Sequence, residues 1–130
     1  MTVLNSADAI VHELHGSRFA SYVSPERGSR ELCAWRLEVA PGTHGVRHTV
    51  NREEVLLMLG GTLQVTVDTS ADGTGTAEKA GPGDVIVVPA GASFQVDNPG
   101  DEPATAWVTT SVGLQATMAD GSRVSPPWVR

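Results

Sequence analysis

Pro41-Gly42-Thr43-His44-Gly45-Val46-Arg47-His48-Thr49-Val50-Asn51-Arg52-Glu53-Glu54-Val55-Leu56-Leu57-Met58-Leu59-Gly60-Gly61 is the stretch on which the reading of this chain turns. Pro41-Gly42 opens it with turn chemistry, since proline presets φ and glycine accepts backbone conformations that other residues resist. Gly60-Gly61 closes it and reads as a hairpin turn. Residues 54–59 are apolar on both faces, which suits a strand that covers a core on one side and packs on a second sheet or subunit on the other. Side chains two apart on a strand share a face, so His48 and Val50 point the same way.

Upstream, residues 31–40 place Cys33, Trp35, Leu37 and Val39 on one face at period two, a strand signal. Downstream, Leu63, Val65 and Val67 alternate with Thr62, Gln64, Thr66 and Asp68, a second half-buried strand. The small polar segment Ser70–Thr76 reads as an exposed loop. A further stretch, Gly83-Asp84-Val85-Ile86-Val87-Val88-Pro89-Ala90-Gly91-Ala92-Ser93-Phe94-Gln95-Val96-Asp97-Asn98, predicts short strands at 85–88 and 94–97 around a Pro89-Ala90-Gly91 turn. Residues 98–103 form a surface turn before a strand at 104–112, and Ser6 to Leu14 reads as one short helix. Regularly spaced short strands with turn signals predict an all-β, antiparallel double-sheet jelly-roll barrel.

The chain has 130 residues, enough for one domain with a single core, taken as a barrel over 31–112 flanked by an N-terminal arm (1–30) and a C-terminal tail (113–130). Hydrophobic residues make up 40% and charged residues 18%, which excludes a disordered composition. Net charge is −6 and no Lys/Arg cluster forms a phosphate-binding stripe, so nucleic acid is not an expected partner. No apolar run approaches the roughly 20 residues a membrane-spanning helix needs, and the start lacks the basic and apolar regions of a signal peptide. With one cysteine, Cys33, no internal disulfide can form, and the expected location is cytoplasmic.

The two quoted stretches resemble the paired signatures of the cupin superfamily. The first signature reads G-x5-H-x-H-x3-E-x6-G, matched by Gly42, His48, Glu54 and Gly61, with Val50 where the second histidine belongs. The second reads G-x5-P-x-G-x2-H-x3-N, matched by Gly83, Pro89, Gly91 and Asn98, with Phe94 at the histidine position. The resemblance covers residues 31–112 and implies the RmlC-like barrel. Segments Arg27–Arg36 and Asp120–Arg130 further resemble small single-domain cupins. Family members usually bind a metal through three histidines and one glutamate. The same pattern implies that His48, Val50, Glu54 and Phe94 face the barrel interior, with Leu56 and Met58 below Glu54.

Valine and phenylalanine offer no donor atoms, so no tightly bound transition metal is expected, and the cofactor, if any, is left open. His44 shares parity with His48, but four strand residues set them about 13 Å apart unless Gly45 bends sharply. His12 and His15 are spaced i, i+3 rather than the i, i+4 of the zinc-protease helix. Arg36, Arg47 and Arg52 read as surface charges, Glu53 as an outward one, and Trp35 as core or a stacking wall. A buried ionisable pair is costly unless it is satisfied or used. An apolar wall raises a carboxyl pKa and a neighbouring carboxylate raises that of histidine, so His48 and Glu54 are the candidate acid–base residues. Val50, Leu56, Met58, Phe94 and Trp35 are the candidate ligand-binding wall. The expected function is binding of a small organic molecule, either with metal-independent isomerase, cyclase, epimerase or dehydratase chemistry or as a non-catalytic binding module. A metal-dependent dioxygenase-like enzyme is a third reading. A homodimer is expected, because the strand at 54–59 needs a second cover.

Overall fold

The computed structural model describes residues 3–69 and 75–130. Among the described residues twelve strands form: β1 (Ile10–Leu14), β2 (Ser17–Val23), β3 (Leu32–Val39), β4 (His48–Val50), β5 (Glu54–Gly60), β6 (Leu63–Asp68), β7 (Ala77–Ala80), β8 (Val85–Val88), β9 (Ser93–Asp97), β10 (Ala104–Ser111), β11 (Ala116–Met118) and β12 (Arg123–Val124). They build two six-stranded sheets, ordered β1-β2-β3-β10-β5-β8 and β12-β11-β4-β9-β6-β7. Every named pairing is antiparallel. This is the all-β, RmlC-like double-sheet fold. Both flanks of the central barrel contribute strands to it, β1 and β2 to the first sheet, β11 and β12 to the second.

Period-two alternation builds the core between the sheets. Cys33, Trp35, Leu37 and Val39 of β3, Leu56 and Met58 of β5, and Ala104, Ala106 and Val108 of β10 are buried, as are Leu63, Val65 and Phe94 from the facing sheet. No helix among the described residues is long and apolar enough to cross a membrane.

Two local readings are corrected. Ser6–Leu14 is not a helix: only Ser6–Asp8 makes a 3₁₀ turn, capped by the Asn5 side chain on the Ala7 N–H at 2.9 Å, and Ile10–Leu14 is a strand. β-branched Ile10 and Val11 favour extended backbone. His15 (φ 50°) and Gly16 (φ 79°) then turn that strand into a hairpin with β2, a pattern that requires two consecutive positive φ values. Gly60-Gly61 does not close a hairpin, because β5 and β6 belong to different sheets. Gly61 (φ 69°) carries the chain across the corner, where a Cβ would run into the Pro103 carbonyl oxygen. Of the loop expected at Ser70–Thr76, residues 70–74 lie outside the described residues, and β7 follows it as a strand the sequence reading did not assign.

The asparagine of the second signature is a fastener. Asn98 Nδ2 donates to the Val39 carbonyl (3.0 Å) and the Glu102 carbonyl (2.8 Å), and its Oδ1 accepts from the Gly100 N–H (3.1 Å). It thereby joins the end of β3 to the turn that leads into β10.

Candidate functional site

A cavity of about 300 Å³ lies between the two sheets. The first sheet gives it Trp35, Leu56, Val108 and Glu54, and the second gives it His48, Val50 and Phe94. Register explains the convergence. His48 pairs with Phe94 across β4 and β9, and Glu54 pairs with Val88 and Thr110 at the start of β5. Met58 is fully buried in the core but is not part of the cavity wall.

Glu54 is 5% exposed and its carboxyl pKa is pushed up from 4.5 to about 7. Burial is the cause; no hydrogen bond or cation among the described residues supports the charged form. His48 tilts against the Phe94 ring at 4.4 Å between centroids, and its Nδ1 lies 2.8 Å from the Val46 carbonyl oxygen. A carbonyl only accepts, so Nδ1 carries the proton and the neutral ring keeps Nε2 as its free base. Burial lowers the His48 pKa more than the Val46 bond raises it. The expectation that a neighbouring carboxylate raises this pKa is therefore corrected, and the two side chains are not hydrogen-bonded to each other.

Of the remaining candidates, His15 lines the cavity from the β1–β2 turn, whereas His44, Arg47 and Glu53 do not. His44 does not bend inward: its side chain is 85% exposed and its Nδ1 sits 3.1 Å from Asp97 Oδ1. Arg47 lies on the surface, bonded to Ser93 Oγ at 2.8 Å and to Asp68 at 3.5 Å. Glu53 is exposed, as its parity predicts. Among the described residues no three His, Cys, Asp or Glu side chains come together in a way that could hold a metal ion. A wider surface hollow of about 570 Å³ lies under the β1–β2 turn. There Arg18 stands in cross-strand register between Glu13 and Glu38.

Several wall residues escaped the sequence reading, two large aromatic ones among them. Phe19 comes from β2, where the alternation of Phe19, Ser21 and Val23 in Ser17–Val23 was the available signal. Trp128 comes from the tail, which docks on its own barrel: its ring stacks on Phe19 at 3.6 Å and 8°. Ser21 Oγ donates to the Trp128 carbonyl (2.8 Å), and the Cys33 thiol contacts the Val129 carbonyl (3.6 Å). Trp35, also in the wall, leaves its indole Nε1 without a hydrogen-bond partner.

Among curated proteins nothing matches the chain. Solved structures with the same fold include the polyketide cyclase RemF from Streptomyces resistomycificus, at 16% identity and TM-score 0.74, covering 85% of this chain and 79% of that one. An RmlC-like cupin from Shewanella frigidimarina aligns at 18% identity and TM-score 0.69, over 85% of this chain and 90% of the other. A cupin-superfamily sugar phosphate isomerase from Silicibacter pomeroyi aligns at 20% identity and TM-score 0.62, over 84% and 76%. At these identities the likeness establishes the fold alone. The family model described as the cupin domain matches residues 35–111, the span that carries the wall strands β3, β4, β5, β9 and β10. The two spaced turn signatures, the two antiparallel sheets and this match agree, and the chain belongs to the cupin domain family.

Proposed function

We propose that the barrel cavity binds a small organic molecule and that Glu54 and His48 exchange protons with it, without a metal. The observation that carries this is the pairing of a buried, unpartnered carboxyl with pKa near 7 and a neutral imidazole whose Nε2 is free, both in the wall of one apolar cavity. Val50 and Phe94 hold the positions where the family places histidines and supply no donor, so the inherited metal motif is degenerate. One histidine and one carboxylate are too few ligands to retain a transition metal against water.

Near neutral pH the pair can work in concert. His48 Nε2 takes a proton from a carbon beside a carbonyl while the Glu54 carboxyl gives its proton to the carbonyl oxygen, forming the enol. Glu54 then takes back the enol O–H proton while His48 returns its proton to the other face of the carbon or to another carbon of the conjugated system, which completes an epimerisation or isomerisation. For a cyclisation the enol carbon instead bonds to a second carbonyl carbon of the molecule, whose C=O π bond breaks as its oxygen takes the His48 proton. In each case both residues end as they began. Two structural neighbours are named a cyclase and an isomerase, reaction classes compatible with this scheme.

Incubation with a panel of enolisable ketones in heavy water, followed by NMR, tests the reading. Exchange catalysed by the wild type should fall about 100-fold or more in both Glu54→Gln and His48→Ala, in line with typical acid–base contributions. If both variants keep full exchange, the pair has no chemical role. Ligand binding without any exchange in the wild type would make the protein a non-catalytic binding module. Elemental analysis of purified protein should show no stoichiometric iron, zinc, manganese, nickel or copper.

A further inference from the structure

We infer that the molecule this cavity takes is uncharged, flat and unsaturated, with a hydrogen-bonding oxygen at one end, and that anions are excluded. This rests on the reading of the cavity as a ligand site and names the class of ligand.

Charge comes first. Among the described residues no lysine or arginine lines the cavity. The acidic wall residue, Glu54, is buried with no cation beside it. A carboxylate or phosphate brought here would give up its hydration with no lysine or arginine to replace it, and would sit near a group that itself becomes anionic above neutral pH. Such a transfer is far more costly than that of a neutral polar group that finds a hydrogen bond. The nearby surface arginine, Arg47, is engaged with Ser93 and Asp68 on the outside of the barrel.

Shape comes second. Four aromatic side chains line the cavity: Phe19, Trp35, Phe94 and Trp128. Phe19 and Trp128 already stack nearly parallel, and Trp35 lies tilted to Trp128 at 6.5 Å. Ring faces and edges set between two sheets favour a flat π-system over a puckered one. The volume of about 300 Å³ is at the small end of small-molecule sites, enough for about two fused rings.

Polarity comes third. Among the described residues, the Glu54 carboxyl, the His48 Nε2 and the Trp35 indole N–H are wall groups without protein partners. A polar group walled by apolar side chains gains when it is paired, so an oxygen-bearing ligand end is favoured by engaging the carboxyl.

The test uses three bicyclic probes of similar size: 2-naphthol, 2-naphthoate and decahydro-2-naphthol. Each is titrated into the full-length wild-type protein at pH 7 by calorimetry. In parallel, the carboxyl ¹³C resonance of Glu54 is followed in protein labelled at glutamate carboxyls. 2-Naphthol should bind and move the Glu54 resonance. Its Kd should be at least about tenfold below that of 2-naphthoate, reflecting the uncompensated charge, and at least about threefold below that of the puckered alcohol. Equal or tighter binding of 2-naphthoate at the Glu54 resonance overturns the exclusion of anions while leaving the cavity a ligand site. Equal or tighter binding of decahydro-2-naphthol overturns the preference for flat molecules. If no probe moves the Glu54 resonance, both this inference and the broader reading of the cavity fall.

Discussion

Glu54 titrates where the fold works against its charge. Its pKa lies above the unfolded value, so between about 4.5 and 7 the folded protein holds a proton that the unfolded chain releases. Stability from this residue is therefore complete at low pH and is lost as pH rises through that window. The penalty at pH 8 is on the order of 3 kcal/mol. Glu54→Gln should accordingly raise stability by about that amount at pH 8 and change it little near pH 4.5, as read from denaturant unfolding at the two pH values. His48 acts in the opposite sense. Its folded pKa is lowered from 6.5, so its contribution is present at high pH and is lost as pH falls through that lowered range. Between the two titrations the cavity holds a neutral acid and a neutral base. Turnover that depends on both should follow a bell, falling above about 7 as Glu54 ionises.

At the level of elements, the turns carry the strictest requirements. Gly61 has φ 69° and backs onto the Pro103 carbonyl, so Gly61→Ala should cost more than about 2 kcal/mol, measured as a loss of unfolding free energy. Asn98→Ala should cost about 2–4 kcal/mol, because it strips two carbonyls and one N–H of a buried partner. These residues explain how much of the fold could be read in advance. A positive φ or a fixed buried amide leaves a glycine or asparagine at a set spacing, and the spacing is visible in the sequence. What such residues do not reveal is which strand follows which in a sheet. Gly60-Gly61 has the composition of a hairpin, yet the twin glycines serve a corner between sheets. Likewise Ile10–Leu14 becomes a strand through its pairing with Ser17–Val23, a partner that local periodicity does not name. Positions such as Val50 and Phe94 could be placed by counting along the signatures. The pKa of His48 could not, because it depends on how deeply the ring is buried and on a 2.8 Å bond to its own backbone neighbour.

Across the whole molecule, the outer face of the first sheet is left apolar and exposed at β5 and β8 among the described residues. Leu57 and Leu59 of β5 and Val85 and Val87 of β8 are 39%, 47%, 57% and 52% exposed, and Leu57 pairs with Val85 and Val55 with Val87 on one surface. β8 is also an edge strand. A contiguous apolar face at a sheet edge is a site for association, and twofold pairing of like chains is its commonest form. We propose a homodimer through this face. Light scattering at micromolar concentration should give about twice the 13.6 kDa chain mass, and Val87→Lys should reduce it to the chain mass while circular dichroism stays unchanged. A wild-type mass of one chain would remove the proposal.

The wall built by Trp128 has a consequence in time. Its carbonyl is held by Ser21, 107 positions earlier, and that of Val129 meets Cys33, 96 positions earlier. Contacts of such separation are slow to form, because the closure entropy of a long loop must be overcome before they contribute. Sheets can therefore assemble while one side of the hollow still stands open to water. Closure then becomes a docking event in its own right, separable from folding of the barrel, and a guest that touches Trp128 would lengthen the life of the closed form by slowing the departure of that segment.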